Sequence, residues 1–150
     1  MSPKKKITIW IGLSLFLIFF TLGNLNAETV MPPILTHIEE ILKENPVKPG
    51  EKVQMIKIAQ DDTVSLFVVR QAEGFVVKPH YHKTHTESVY VIKGTAQMLV
   101  NDKWVDIKPG SIHFNPPGKV HSVKNIGNEP LVIISIFSPA LKEPDRNFVE

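Results

Sequence analysis

The chain has 150 residues, with 17 Lys+Arg against 15 Asp+Glu and no cysteine. The missing thiols exclude disulfide staples, Cys-ligated structural zinc and iron–sulfur clusters. The basic excess lies in Lys4, Lys5 and Lys6; residues 28–150 hold 14 basic and 15 acidic residues, a net −1 with no Lys/Arg-rich cluster to suggest nucleic acid as a partner.

Residues 1–27 read as a secretory leader. A basic start, the uncharged apolar run Ile7–Gly23 and the polar Asn24-Leu25-Asn26 ending in Ala27 have the pattern of a signal peptide. The run is 17 residues, short of the roughly 20 a spanning helix needs. An uncleaved anchor is the competing reading, and through it alone would the chain meet a membrane. The expected location is periplasmic or secreted. Residues 28–47 follow as an N-terminal arm. Within it Ile34, Leu35, Ile38, Ile41 and Leu42 have helical spacing after Pro32-Pro33, and Asn45-Pro46 ends the pattern. The helix is expected to pack on the main body or on a second subunit, with His37 as a partly exposed member of it.

After Lys48-Pro49-Gly50 the texture is that of strands. The expected ones are 52–59, 63–70, 75–82, 88–93, 96–101, 104–107, 111–115, 120–124 and 131–137. They are short, rich in Val and Ile, and separated by Asp61-Asp62, Glu73-Gly74, Asn101-Asp102, Pro109-Gly110, Pro116-Pro117-Gly118 and Gly127-Asn128. That rhythm predicts an all-β antiparallel sandwich or barrel over 48–141. Residues 142–150 are polar and are expected to lie as a tail on the surface.

The residues with chemistry fall on those strands. His80 and His82 are two apart, which places both imidazoles on one face of a strand. Glu87 follows at the start of the next strand, and His121 lies beyond the Pro-Pro-Gly turn. Imidazoles suit Zn, Cu, Fe and Ni, and a carboxylate extends the range to Mn; Fe, Mn, Ni or Zn is the expected ion. The competing readings are two surface histidines, a solvated glutamate and a core histidine, or a metal bound for stability without catalysis.

The wider spacing sharpens this. Gly74, His80, His82, Glu87 and Gly94 form Gly-x5-His-x-His-x4-Glu-x6-Gly. Gly110, Pro116, Gly118, His121 and Asn125 form Gly-x5-Pro-x-Gly-x2-His-x3-Asn. In these ten positions the chain resembles the cupin superfamily, whose two motifs have this spacing. The resemblance implies a cupin-type jelly-roll β-barrel with a short N-terminal helix in front. It implies a divalent metal held by His80, His82, Glu87 and His121, with open coordination positions for water or substrate. It also implies a homodimer, which the residues themselves do not show.

Other residues near these motifs have two readings. His85, in the loop between the ligands, either replaces a ligand, serves as a base beside one, or is a histidine at the site rim, and the rim is preferred. His113 and Asn115 alternate with Ile112 and Phe114: facing inward they contact substrate or orient a ligand, facing outward they are surface polars. Tyr90 is expected to point away from the metal, Lys78 into solvent, and Trp104 to pack in a hairpin. The function expected from the resemblance is an exported metal-dependent enzyme acting on a small oxygenated organic substrate, of dioxygenase, decarboxylase, isomerase or lyase type. The alternatives are a non-catalytic metal or small-molecule binding protein of the cell envelope and a regulatory ligand sensor. No catalytic residue beyond the ligands is evident.

Overall fold

The structure is a computed structural model that describes residues 32–149; the expected leader, 1–27, lies outside them. One helix, α1 (Ile38–Glu44), precedes ten strands: β1 (Val53–Gln60), β2 (Ser65–Gln71), β3 (His80–Tyr81), β4 (Thr86–Lys93), β5 (Ala96–Val100), β6 (Lys103–Ile107), β7 (Ile112–Asn115), β8 (Ser122–Asn125), β9 (Leu131–Ser138) and β10 (Asn147–Phe148). A five-stranded sheet in the order β1-β2-β9-β4-β7 faces a three-stranded sheet in the order β6-β5-β8, and β10-β3 forms a short third sheet. Every named pair is antiparallel. This is the antiparallel β-architecture expected of the strand rhythm and the jelly-roll fold that the resemblance implies.

Period-two alternation builds the core. Phe67 and Val69 of β2, Val89 and Val91 of β4, Met98 of β5 and Phe137 of β9 point between the sheets and are buried together. The phenyl rings of Phe67 and Phe137 meet edge to face, with centroids 5.8 Å apart. The outer face of the large sheet is apolar too, and α1 covers part of it: Ile41 buries against Val68 and Val132, with Ile38, Leu42, Ile56 and Ile58 packed around them. The helix starts later than the apolar spacing predicts. Ile34 and Leu35 are exposed, and His37 is extended. Of the apolar residues with helical spacing, those that pack on the sheet, Ile38, Ile41 and Leu42, lie in the helix. Asn45 ends it, its side-chain amide donating to the Ile41 carbonyl at 2.9 Å.

Two turns show why particular residues stand there. Asn101 and Asp102 both have positive φ, 48° and 61°, the conformation a two-residue β5–β6 hairpin requires. Gly94 has φ +92°, and a Cβ there would meet the Leu131 Cα at 2.9 Å, so the chain end of β4 passes β9 with room for hydrogen alone.

The structure corrects two expectations. Residues 75–82 do not form one strand: Val76 makes an isolated bridge to Lys124, Pro79 interrupts the ladder, and pairing resumes at His80–Tyr81. The C-terminal residues do not simply lie on the surface. Asn147 and Phe148 fold back to pair with Tyr81 and His80, which turns the tail into an arm across one end of the barrel. Among the described residues no helix is long and apolar enough to cross a membrane.

Met98 is nearly solvent-free at the centre of this core. Met98→Ala is expected to lower unfolding free energy by about 2–5 kcal/mol, read by urea denaturation with an unchanged m-value; a loss under about 1 kcal/mol would contradict the packing described.

Candidate metal centre

The two motifs are stitched together by backbone. His80 N–H donates to the His121 carbonyl at 3.0 Å, and His121 N–H returns the bond to the His80 carbonyl at 2.9 Å. Gly118 N–H donates to the His82 carbonyl at 2.7 Å. The Pro116-Pro117-Gly118 turn thereby sets the His121 segment against the His80–His82 segment. His80, His82 and His121 are all buried, and one ligand atom from each lies within 4.8 Å of the others. The imidazole centroids of His80 and His121 are 4.3 Å apart, and His82 is 5.2 Å from His121.

The surroundings decide which nitrogen faces inward. His80 Nδ1 lies 2.8 Å from the Lys78 carbonyl and His82 Nδ1 2.5 Å from the Asp145 carbonyl. A carbonyl only accepts, so both Nδ1 atoms carry the hydrogen, and Nε2 is left with its lone pair. His82 Nε2 is buried without a hydrogen-bond partner. His121 Nδ1 lies 2.6 Å from the Asn115 side-chain amide nitrogen and 3.2 Å from the Lys119 carbonyl. If Nδ1 accepts from Asn115, Nε2 carries the hydrogen and donates it to Glu87 Oε2, 3.0 Å away. If Nδ1 donates to Lys119, with the amide turned to present its oxygen, Nε2 is free.

Glu87 comes from β4, whose alternation places it inward with Val89 and Val91. Its Oε2 lies 3.0 Å from His121 Nε2 and 3.4 Å from His82 Nε2, and its Oε1 accepts from the Ser135 hydroxyl of β9. Burial alone would raise its carboxyl; His121, His82 and Ser135 outweigh burial and hold it well below the usual carboxylate range. Burial drives His80 down from 6.5 to about 4. His82 feels the same desolvation, but Glu87 and the Asp145 carbonyl overcome it and raise its pKa.

Three gathered imidazoles, two of them with Nδ1 turned to a carbonyl, beside the Glu87 carboxylate fit a divalent cation; His80, His82 and His121 can hold one, and Glu87 is placed to join them. Asn115 and His113 face inward, Asn115 buried against His121 and His113 with a buried Nε2 that has no hydrogen-bond partner. Desolvation, aided by the nearby His121, lowers the His113 pKa. Ile112 and Phe114 take the outer face, 79% and 59% exposed. Tyr90, Lys78 and Trp104 are exposed.

His85 differs from the expected rim residue. It is buried; its Nδ1 lies 2.6 Å from Asp145 Oδ2 and its Nε2 3.3 Å from the Ala140 carbonyl. The same Asp145 carboxylate accepts from the Lys83 and Thr84 N–H groups at 3.0 and 2.9 Å. Burial would raise the Asp145 carboxyl, but His85 and these amides hold it well below the ordinary range. His85 therefore fastens the C-terminal arm, and Asp145 is a site residue the sequence reading missed. Its partners are some 60 residues away in the chain, so no local spacing announces it.

The two strand histidines are expected to titrate apart in the metal-free protein. The fold accommodates His80 neutral, so its contribution to stability is full above pH 6.5 and falls away from there to about 4. His82, raised, favours its protonated form, so its contribution is full below its unfolded pKa and lost as pH rises through its folded one. At pH 5.5, heteronuclear NMR of the imidazoles should find His82 protonated and His80 neutral; titration of both together near 6.5 would contradict the site electrostatics.

Comparison with known proteins agrees with this geometry. The cupin domain family matches residues 67–137. An uncharacterized protein of Aquifex aeolicus is 32% identical over 79% of this chain and 95% of its own length. A glucose-6-phosphate isomerase of Thermococcus onnurineus is 38% identical over 43% of this chain, and a quercetin 2,3-dioxygenase of Bacillus subtilis is 29% identical over 63%. Those matches span 38% and 29% of the two enzymes' own lengths. A Klebsiella pneumoniae protein with a double-stranded β-helix domain superposes with a TM-score of 0.61 at 24% identity, covering 70% of this chain and 84% of that one. With both motifs on adjoining strands and the histidines gathered at one end of the barrel, the chain belongs to the cupin superfamily as a small, single-domain member.

Proposed function

We propose that this cupin is an exported, metal-dependent enzyme that acts on a small oxygenated organic substrate. Its metal, Fe, Mn, Ni or Zn, is held by His80, His82, Glu87 and His121. The observation that carries the reading is the set of three buried imidazoles whose ligand nitrogens lie within 4.8 Å of one another, beside the Glu87 carboxylate. Two relatives over parts of their length, an isomerase and a dioxygenase by name, support chemistry on oxygen-bearing small molecules. The leader pattern supports export, and the resemblance supports a homodimer.

A divalent ion bound there supplies Lewis-acid polarisation of a substrate oxygen. The protein's own residues do the rest. The Lys78 and Asp145 carbonyls fix the ring orientations of His80 and His82, and Asn115 with Lys119 fixes His121. Ser135 steadies the Glu87 carboxylate. Valine and methionine side chains line much of the interior cavity of about 50 Å³ beside His80, Glu87 and His121. That small volume favours a second reading, a non-catalytic metal or small-ligand binding protein, over any large substrate.

Elemental analysis after reconstitution with Fe²⁺, Mn²⁺, Ni²⁺ and Zn²⁺ separately is expected to find near one equivalent of at least one ion, and His82→Ala should lower affinity at least tenfold with the circular dichroism unchanged. Undiminished affinity would overturn the ligand set. Metal-dependent turnover of oxygenated substrates favours the enzyme; a loaded, inert protein favours the binding reading.

A further inference from the structure

The C-terminal arm carries a cation to the edge of the site. Asp145 ties the arm to Lys83, Thr84 and His85, and Asn147–Phe148 pairs with Tyr81–His80, so the backbone on both sides of Arg146 is fixed. Arg146 and Met55 line two spaces at once: the small interior cavity with His80, Glu87 and His121, and an outer pocket of about 390 Å³ with His82.

The guanidinium there is short of partners. Among the described residues its one polar contact is Met55 Sδ, a weak acceptor, at 3.9 Å. The carboxylates around it do not answer it. Glu87 is engaged by His121, His82 and Ser135, Asp145 by His85 and two amides, and Glu143, on the outer pocket, makes no ion pair with it.

We propose that Arg146 binds the carboxylate of a small organic acid that lies in the outer pocket and reaches toward the His80–His82–His121 cluster. The proposal rests on that cluster being the centre of chemistry and names the substrate class. A guanidinium offers a fork of donors that matches a carboxylate in two parallel hydrogen bonds. The interior cavity holds only a few atoms, so the acid enters by one end while its body stays outside.

Co²⁺-loaded protein titrated with acetate and, separately, with neutral imidazole, each followed by the visible Co²⁺ spectrum, tests this. Arg146→Gln and Arg146→Ala should weaken acetate binding about tenfold or more, leave imidazole binding and Co²⁺ content unchanged, and keep the circular dichroism. Arg146→Lys, which keeps the charge but not the fork, should fall between. Equal acetate affinity in all four proteins would overturn the proposal while leaving the metal reading intact. A chain that takes up no Co²⁺ would overturn the metal reading instead. Calorimetry with acetate on metal-free protein would then judge Arg146: the same loss in Arg146→Gln sustains it, and equal heats overturn it.

Discussion

The arrangement of this end of the barrel depends on one constraint: three imidazoles and a carboxylate share one buried space. Bare burial of such groups is costly unless each polar atom is matched. The fold meets the cost by spending the outward Nδ1 atoms of His80 and His82 on backbone carbonyls and by setting the Glu87 carboxylate among His121, His82 and Ser135. His82 Nε2 is left without a hydrogen bond, 3.4 Å from Glu87 Oε2. The segments carrying the four side chains are held by reciprocal backbone bonds at His80 and His121 and by ladder pairing of β4 with both β7 and β9.

The C-terminal arm belongs to the same constraint. The Asp145 carbonyl orients His82, and the Asp145 carboxylate gathers the Lys83–His85 loop between the strand histidines and Glu87. One residue thus acts twice, through backbone and through side chain. That anchorage holds Arg146 in the lining of the cavity. Asn125, the last residue of the second motif, does a comparable task at the other end: its amide donates to the Gln71, Ala72 and Glu129 carbonyls and its oxygen accepts from Gly127 N–H, closing the turn after β8.

Much of this was legible in the amino-acid order because motif spacing encodes geometry. The i, i+2 pair at His80 and His82, the parity of Glu87 with Val89 and Val91, and the turn before His121 are local facts with local consequences. The strand boundaries followed alternation and turn residues to within a residue or two in most cases. Three features escaped for physical reasons. Residues 145–148 have no periodicity, and their two-residue strand is held by contacts to residues about 60 positions earlier. His85 could not be separated from a rim histidine without Asp145. The facing of β7 was undecidable because its apolar residues, Ile112 and Phe114, point outward while His113 and Asn115 point in. There the binary pattern runs opposite to the usual one, since the interior at that point is a polar site.

The central claim is that one divalent ion binds between the two motifs through the inward nitrogens. Crystals grown with Mn²⁺ or Zn²⁺, measured at and below the absorption edge of the metal, test it most directly. The account predicts one strong anomalous peak bonded to Nε2 of His80, His82 and His121 and to the Glu87 carboxylate. A peak elsewhere on the protein, bonding through an Nδ1 atom, or no peak at all in metal-saturated crystals would contradict it.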